Sequence, residues 1–272
     1  MSFVSRCSLH HLMPKTSSVS YHRAMATASA LFTKRPSMRM MQGGLPQTMR
    51  EVSPKKLAFI SCSRRNVFTS DIPAPLPLVC SLAPDFTAKT VFPGDSVESL
   101  TLSSFRSKKY VCLFFWPMDF TFVCPSEILA FQHALEEFEK RNVQVLGVST
   151  DSIHTHLAWR RTPLSQGGIG AVDFPMISDH TKSISMAYRI LHNDAIALRG
   201  LFLIDKEGII RHSLVNDLPL GRSVQETLRL VDALQHTEKY GEVCPANWQK
   251  GEKAMEATLK SVSSYLGMKE GA

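Results

Sequence analysis

The residues Tyr110-Val111-Cys112-Leu113-Phe114-Phe115-Trp116 lead directly into Pro117-Met118-Asp119-Phe120-Thr121-Phe122-Val123-Cys124-Pro125-Ser126-Glu127. The first stretch is a continuous apolar run of strand length, as a strand buried on both faces requires. Beyond the second, Ile128, Phe131, Leu135 and Phe138 recur at spacings of 3, 4 and 3, which places them on one face of a helix. Glu136, Glu137, Glu139, Lys140 and Arg141 fall on its wet side. A buried strand and an amphipathic helix therefore form the centre of the fold. The loop between them ends on a cysteine.

Farther along, Val143-Gln144-Val145-Leu146-Gly147-Val148 reads as a second buried strand, and Asp151 stands at the N-cap position of a helix through His156 and Trp159. Leu201-Phe202-Leu203-Ile204 and Ile209-Ile210-Arg211 flank Asp205-Lys206-Glu207-Gly208, a hairpin with a glycine turn. Ser223-Val224-Gln225-Glu226 is a capping box that opens a helix with Val224, Leu228 and Val231 inward. Gly251 to Tyr265 reads as a last amphipathic helix. Strand–helix–strand–helix, then a hairpin and a helix, is the order of a thioredoxin-like α/β fold, with a central mixed β-sheet flanked by helices. Pro73-Ala74-Pro75-Leu76-Pro77 is an extended linker ahead of it. The expected organisation is a leader and linker (1–75), a single thioredoxin-like domain (76–235) and a C-terminal helical arm (236–272).

The chain carries 31 Lys/Arg and 24 Asp/Glu, a formal net charge of +7. Eleven of the bases but only two acids, Glu51 and Asp71, lie in residues 1–76, which leaves 20 bases and 22 acids for the rest. The basic character thus belongs to the leader, and the domain has no composition for nucleic-acid binding. A Ser- and Arg-rich N-terminus with no acid before Glu51 suits import into an organelle, here expected to be the mitochondrion, and removal there. Another organelle or the cytoplasm is the alternative. The leader lacks the apolar run of a secretory signal, and no stretch approaches the ~20 apolar residues of a membrane span. Neither nucleic acid nor membrane is expected as a partner.

Six cysteines occur: Cys7, Cys62, Cys80, Cys112, Cys124 and Cys244. A chain this large does not need structural disulfides, and no CxxC pair points to zinc or to a thioredoxin-type dithiol. Cys7 and Cys62 belong to the leader. Cys112, inside the apolar strand, reads as a small buried hydrophobe, and Cys80 is read the same way. Cys124 differs. It falls in the first turn of a helix, with Pro125 just inside, where a missing N–H costs nothing. The positive end of a helix favours a thiolate there over a thiol. Thr121, three residues earlier, can donate or accept a hydrogen bond beside the sulfur.

Pro117-x-x-x-Thr121-x-x-Cys124 resembles the active-site signature of peroxiredoxins. Phe120-Thr121-Phe122-Val123-Cys124-Pro125 and Gly241-Glu242-Val243-Cys244-Pro245 together resemble the typical two-cysteine subclass. The likeness runs from about Ala83 to Tyr265 and takes in His156-Leu157-Ala158-Trp159, Leu198-Arg199-Gly200-Leu201-Phe202 and Asn216-Asp217-Leu218-Pro219-Leu220-Gly221-Arg222-Ser223. Several independent motifs in one order make it far more specific than a lone PxxxTxxC.

The resemblance implies a peroxidase that takes hydrogen peroxide and organic hydroperoxides. Cys124 would be the peroxidatic cysteine, Thr121 and Arg199 would bind the peroxide oxygens, Glu127 would orient Arg199, and Pro117 would shield the sulfur. Cys244 of a partner subunit would condense with the Cys124 sulfenic acid, so the protein would be a homodimer, and a ring of dimers (a decamer) is known for such proteins. A thioredoxin-like reductant would recycle the disulfide. No cofactor, haem, flavin or metal is implied. An oligomeric holdase chaperone, or a redox relay through the same cysteines, is the alternative reading. Departures are modest: Trp116 replaces a common Tyr, Ser126 a common Thr, and Tyr188 to Arg199 is one residue short. Gln166-Gly167-Gly168-Ile169-Gly170 and Tyr265-Leu266 resemble the two segments of easily overoxidised members, with Leu266 in place of Phe.

Overall fold

The computed structural model describes residues 77–270, so the leader, with Cys7 and Cys62, lies outside the described residues. In chain order the elements are β1 (Thr87–Val91), β2 (Val97–Thr101), β3 (Tyr110–Phe115), α1 (Cys124–His133), α2 (Leu135–Lys140), β4 (Val143–Ser149), α3 (Ile153–Arg161), β5 (Met176–Ser178), α4 (Ser183–Ala187), β6 (Leu191–His192), β7 (Ile196–Ala197), β8 (Arg199–Ile204), β9 (Ile210–Asn216), α5 (Val224–Tyr240) and α6 (Leu259–Glu270). Seven strands form one sheet in the order β2-β1-β5-β4-β3-β8-β9. β3 and β4 are parallel, as are β4 and β5, while β8 runs antiparallel to β3. The sheet is mixed, with the apolar run of β3 near its middle.

Because side chains alternate along a strand, β3 feeds two cores at once. Tyr110, Cys112, Phe114 and Trp116 join α1, α2, α3 and α5 on one face through Phe131, Phe138, Trp159 and Val231. Val111, Leu113 and Phe115 face the other side, where Ile184 of α4, Tyr188 and Ile190 cover them. Gly147 on β4 lies so close under Trp116 that an added Cβ would come within 2.7 Å of the ring. This two-sided packing fixes the end of β3, from which the Pro117–Val123 loop leaves.

Several details differ from the sequence expectation. The periodic run Ile128–Phe138 is two helices, broken at Ala134 (φ −93°, ψ 2°). Ser152, not Asp151, caps α3, accepting from the Thr155 amide. Ser223 does cap α5 through the Glu226 amide, but the Glu226 side chain turns to Arg229. The last helix starts at Leu259 rather than Gly251. Cys80 is exposed, in a left-handed conformation (φ 66°), and is no core residue. The short elements β1, β2, β5, α4 and the β6–β7 hairpin were not anticipated. The three-residue loop of that hairpin carries Asn193 and Asp194 at positive φ (50° and 53°), and the Ala195 amide donates to the His192 carbonyl at 3.1 Å, closing a tight turn.

Candidate active site

Three segments meet at the Cys124 sulfur. Cys124 opens α1, Thr121 lies in the loop before it, and Arg199 opens β8. Since β8 runs antiparallel to β3, with Phe114 opposite Leu201, its first residue lies beside the point where the loop leaves the sheet. No side chain caps α1, whose N-cap is Val123, and Pro125 sits in the first turn. The positive end of α1 is therefore directed at its own first side chain.

Thr121 Oγ1 lies 2.9 Å from Cys124 Sγ and 2.8 Å from the Met118 carbonyl oxygen, so its single proton can be donated to either. Arg199 Nη1 donates to Sγ at 3.4 Å and to Glu127 Oε2 at 2.6 Å, and Arg199 Nε donates to the Leu218 carbonyl at 2.7 Å. Arg222 then completes the shell around Glu127. Its amide (2.9 Å) and Nε (2.8 Å) donate to Glu127 Oε1, and Nη2 donates to Oε2 at 3.0 Å. Cys124, Glu127, Arg199 and Arg222 are all buried. Two guanidinium cations and one carboxylate leave an excess positive charge beside the sulfur.

The loop rests on a second buried cluster. Trp116 Nε1 donates to Asp119 Oδ1 (2.9 Å), and His156 Nδ1 lies 2.7 Å from Asp119 Oδ2. Burial raises the Asp119 carboxyl above the usual range, against the lowering effect of its hydrogen bond to His156. Phe120 holds a left-handed conformation (φ 55°) with its ring 5.8 Å from that of Trp159, whose Nε1 donates to the Gly167 carbonyl at 2.9 Å. Pro117 is buried at the base of the loop, while Phe122 at its tip is 97% exposed.

Residues 79–213 match the AhpC/TSA family, and residues 233–267 match the C-terminal domain of 1-Cys peroxiredoxin. The chain is 55% identical over 190 residues to the alkyl hydroperoxide reductase C of Helicobacter pylori strain J99, spanning 70% of this chain and 96% of that one. The reduced 2-Cys peroxiredoxin of Plasmodium vivax superposes with a TM-score of 0.70 at 53% identity, covering 71% of this chain and all of that one. The chain belongs to the 2-Cys peroxiredoxins. The mitochondrial 2-Cys peroxiredoxin of Plasmodium falciparum is also similar, with a TM-score of 0.60 and 48% identity over 61% of this chain and 99% of that one. This peroxiredoxin is accordingly a thiol-dependent peroxidase with the thioredoxin-like fold, and the holdase reading is not favoured.

Of the six anticipated site residues, the structure joins four, Cys124, Thr121, Arg199 and Glu127, in one hydrogen-bonded cluster, and Pro117 is buried at the start of the loop that leads to it. Cys244 stands apart. Its Sγ is 3.6 Å from the Ala233 carbonyl and 3.8 Å from Thr237 Oγ1, both on α5. Its segment is held there by the His236–Glu242 pair (2.7 Å), the Val243–Met255 bridge and the buried Trp248. Cys124 and Cys244 are both free thiols. Arg222 was not singled out from the sequence, although one signal was available. A cation immediately before the N-cap of α5 faces the positive end of a helix, and a buried acid is what offsets that placement.

Proposed function

We propose that this peroxiredoxin reduces hydroperoxides with Cys124 as nucleophile. The observation that carries the reading is the convergence of Thr121 Oγ1 (2.9 Å) and Arg199 Nη1 (3.4 Å) on a single buried sulfur. Donors held in place by other groups stabilise charge that moves from sulfur to oxygen during displacement. The thiolate attacks the terminal oxygen of R–O–O–H, an S–O bond forms and the O–O bond breaks. The departing RO⁻ takes a proton and leaves as ROH, and Cys124 becomes a sulfenic acid. Arg199 is poised at the departing oxygen, with Glu127 fixing its guanidinium through charge-assisted hydrogen bonds.

Resolution follows when the thiol of the partner subunit's Cys244 condenses with the sulfenic acid, forming S–S and releasing water. A thioredoxin-like dithiol then reduces the disulfide by exchange. Two facts bear on this step: Cys244 has neighbours of its own on α5, and Cys124 Sγ is fully buried while α1 is folded. The first turn of α1 therefore unwinds before the disulfide forms. A homodimer, assembled into a ring of dimers, is the expected state, with residues 236–272 as the exchanging arm and residues 1–75 as a mitochondrial targeting segment. Stopped-flow peroxide consumption with thioredoxin and its reductase tests the chemistry, and loss of the disulfide-linked dimer in Cys244→Ser tests the pairing. Normal turnover of Cys244→Ser would assign resolution to another thiol. Protein from the native cell is expected to begin between about residue 40 and residue 76, as import signals are removed, and an intact Met1 on cytosolic protein would exclude import.

A further inference from the structure

The donor that touches the sulfur depends on a peptide plane. Thr121 Oγ1 is shared between Cys124 Sγ and the Met118 carbonyl oxygen, so the direction of that carbonyl decides how the hydroxyl is presented. The same peptide carries the Asp119 N–H, which donates to Asp151 Oδ2 at 2.9 Å. No cis peptide occurs among the described residues, and in a trans peptide the N–H and C=O point opposite ways. Holding the Asp119 N–H toward Asp151 therefore turns the Met118 carbonyl toward Thr121.

Asp151 is well built for this task. The same Oδ2 accepts from Ser149 Oγ at 2.7 Å, and the Asp151 amide donates back to Ser149 Oγ at 3.1 Å. Ser178 Oγ donates to the Asp151 carbonyl at 2.6 Å, and Ser149 and Ser178 are register partners at the ends of β4 and β5. Asp151 is thus tied to the sheet, not to a loose surface loop. It does not cap α3, since Ser152 does that. The residue between Asp119 and Thr121 shows why a fixed anchor is needed: Phe120 has φ 55°, a conformation that a bulky side chain keeps only when its surroundings enforce it. Trp116 and His156 hold the Asp119 side chain, and Asp151 holds its amide.

We propose that Asp151 is a positioning residue for the peroxidase reaction, acting through the Met118–Asp119 peptide on the Thr121 hydroxyl. The inference rests on the reading of Thr121 and Cys124 given above. In the full chain, Asp151→Ala should slow the bimolecular oxidation of Cys124 by hydrogen peroxide by about ten- to a hundredfold, the scale of a small misplacement in a reacting group. Asp151→Asn keeps an oxygen acceptor for both donors and should stay within about threefold of wild type, under ~1 kcal/mol. The decisive readout is a double-mutant cycle with Thr121→Val. If Asp151 acts through Thr121, the double variant should match Thr121→Val within about twofold, because the second loss has nothing left to misplace. Multiplying effects, or an Asp151→Ala rate within about twofold of wild type, would overturn the proposal. Should Asp151→Ala fail to fold, Asp151→Ser, whose hydroxyl stops short of the Asp119 amide, takes its place under the same criteria. A Thr121→Val enzyme as fast as wild type would instead refute the assignment of Thr121 itself, and the inference with it.

Discussion

Cys112 and Cys124 are both fully buried, and only one of them is placed to react. Cys112 sits in the middle of β3, opposite Val145 on β4 and Leu203 on β8, and burial pushes its thiol up to about 12. Cys124 is equally inaccessible, yet a hydroxyl and a guanidinium point at its sulfur, and a buried carboxylate and second guanidinium stand behind them. The usual description of a reactive cysteine includes exposure. On the reading proposed above, reactivity follows instead from which atoms line the burial site: carbon around Cys112, permanent donors around Cys124. On the mechanism proposed above, a small hydroperoxide reaches this sulfur more readily than another protein's thiol, for which α1 would have to unwind.

The sharpest test of this contrast is removal of each sulfur in turn. Cys124→Ser should abolish peroxide reduction in the coupled assay, while Cys112→Ala should keep the turnover number per folded molecule within about twofold, as expected of a variant with no contact to the reacting atoms. If Cys112→Ala lost turnover while remaining folded, the two sulfurs would not be functionally separate. The next largest effect concerns the donors. Arg199→Ala should raise the barrier by about 2–4 kcal/mol, the cost of losing one preorganised electrostatic group. Arg222→Ala should lower stability as well as the rate, because it holds Glu127, which fixes Arg199, and donates to the Gly200 carbonyl without touching the sulfur. Breaking a buried ion pair by removing one partner costs roughly 3–5 kcal/mol, which denaturant unfolding would report. An Arg222→Ala enzyme as stable as wild type would show that Glu127 does not need its second cation.

Much of this contrast was legible in the sequence, because it is written in local patterns. The apolar run of β3 placed Cys112 in a core, and the Cys124-Pro125 step placed the other cysteine at a helix start. Arg199 came from the resemblance alone, although it stands just before the apolar run Gly200-Leu201-Phe202. Long-range pairings were less visible. Asp119 and His156 are 37 positions apart and Arg222 is 95 from Glu127, and nothing in either segment announces the other. Asp151 and Ser152 are neighbouring good N-cap residues, and only the demand of the Asp119 amide for an acceptor decides which one caps α3. The break at Ala134 escapes notice because the 3-and-4 spacing continues across it. Strands such as β5, three residues long, are too short to show a period.

A third, intermediate effect bears on Cys112 as a packing residue. Cys112→Ser replaces sulfur by a hydroxyl in a site lined by apolar side chains. An unsatisfied buried hydroxyl costs about 1–3 kcal/mol, so the unfolding midpoint should fall while the rate per folded molecule holds. Unchanged stability would mean that the new hydroxyl finds a partner, and that the Cys112 site is less apolar than its neighbours indicate.

The smallest expected effect concerns overoxidation, for which Cys112 serves as an internal standard in mass spectrometry. On the proposed mechanism, sulfinic acid would form when a second peroxide reaches Cys124 before α1 unwinds. Contacts that cover α1 would slow that unwinding, and the resemblance of Tyr265-Leu266 to a segment of easily overoxidised members makes the last helix the candidate cover. Within the single chain, Leu266 is 55% exposed and Leu259 88% exposed, so α6 presents apolar surface outward. That surface is free to pack against a partner subunit in the dimer proposed above. Leu266→Phe adds some tens of Å2 of apolar surface, worth roughly 1 kcal/mol at ~25 cal/mol per Å2 if it is buried. That corresponds to about a fivefold shift in the folded-to-unwound ratio, since 1.4 kcal/mol is tenfold. Leu266→Phe should therefore accumulate more Cys124 sulfinic acid under graded peroxide during turnover, and a chain ending before Ser261 should accumulate less. Cys112 should remain a thiol in every sample, since burial keeps it from forming the thiolate that peroxide attacks. Equal Cys124 sulfinic acid in the full and truncated chains would remove α6 from the control of resolution and leave the Gly167–Gly170 loop, tied to Phe120 through Trp159, as the remaining restraint.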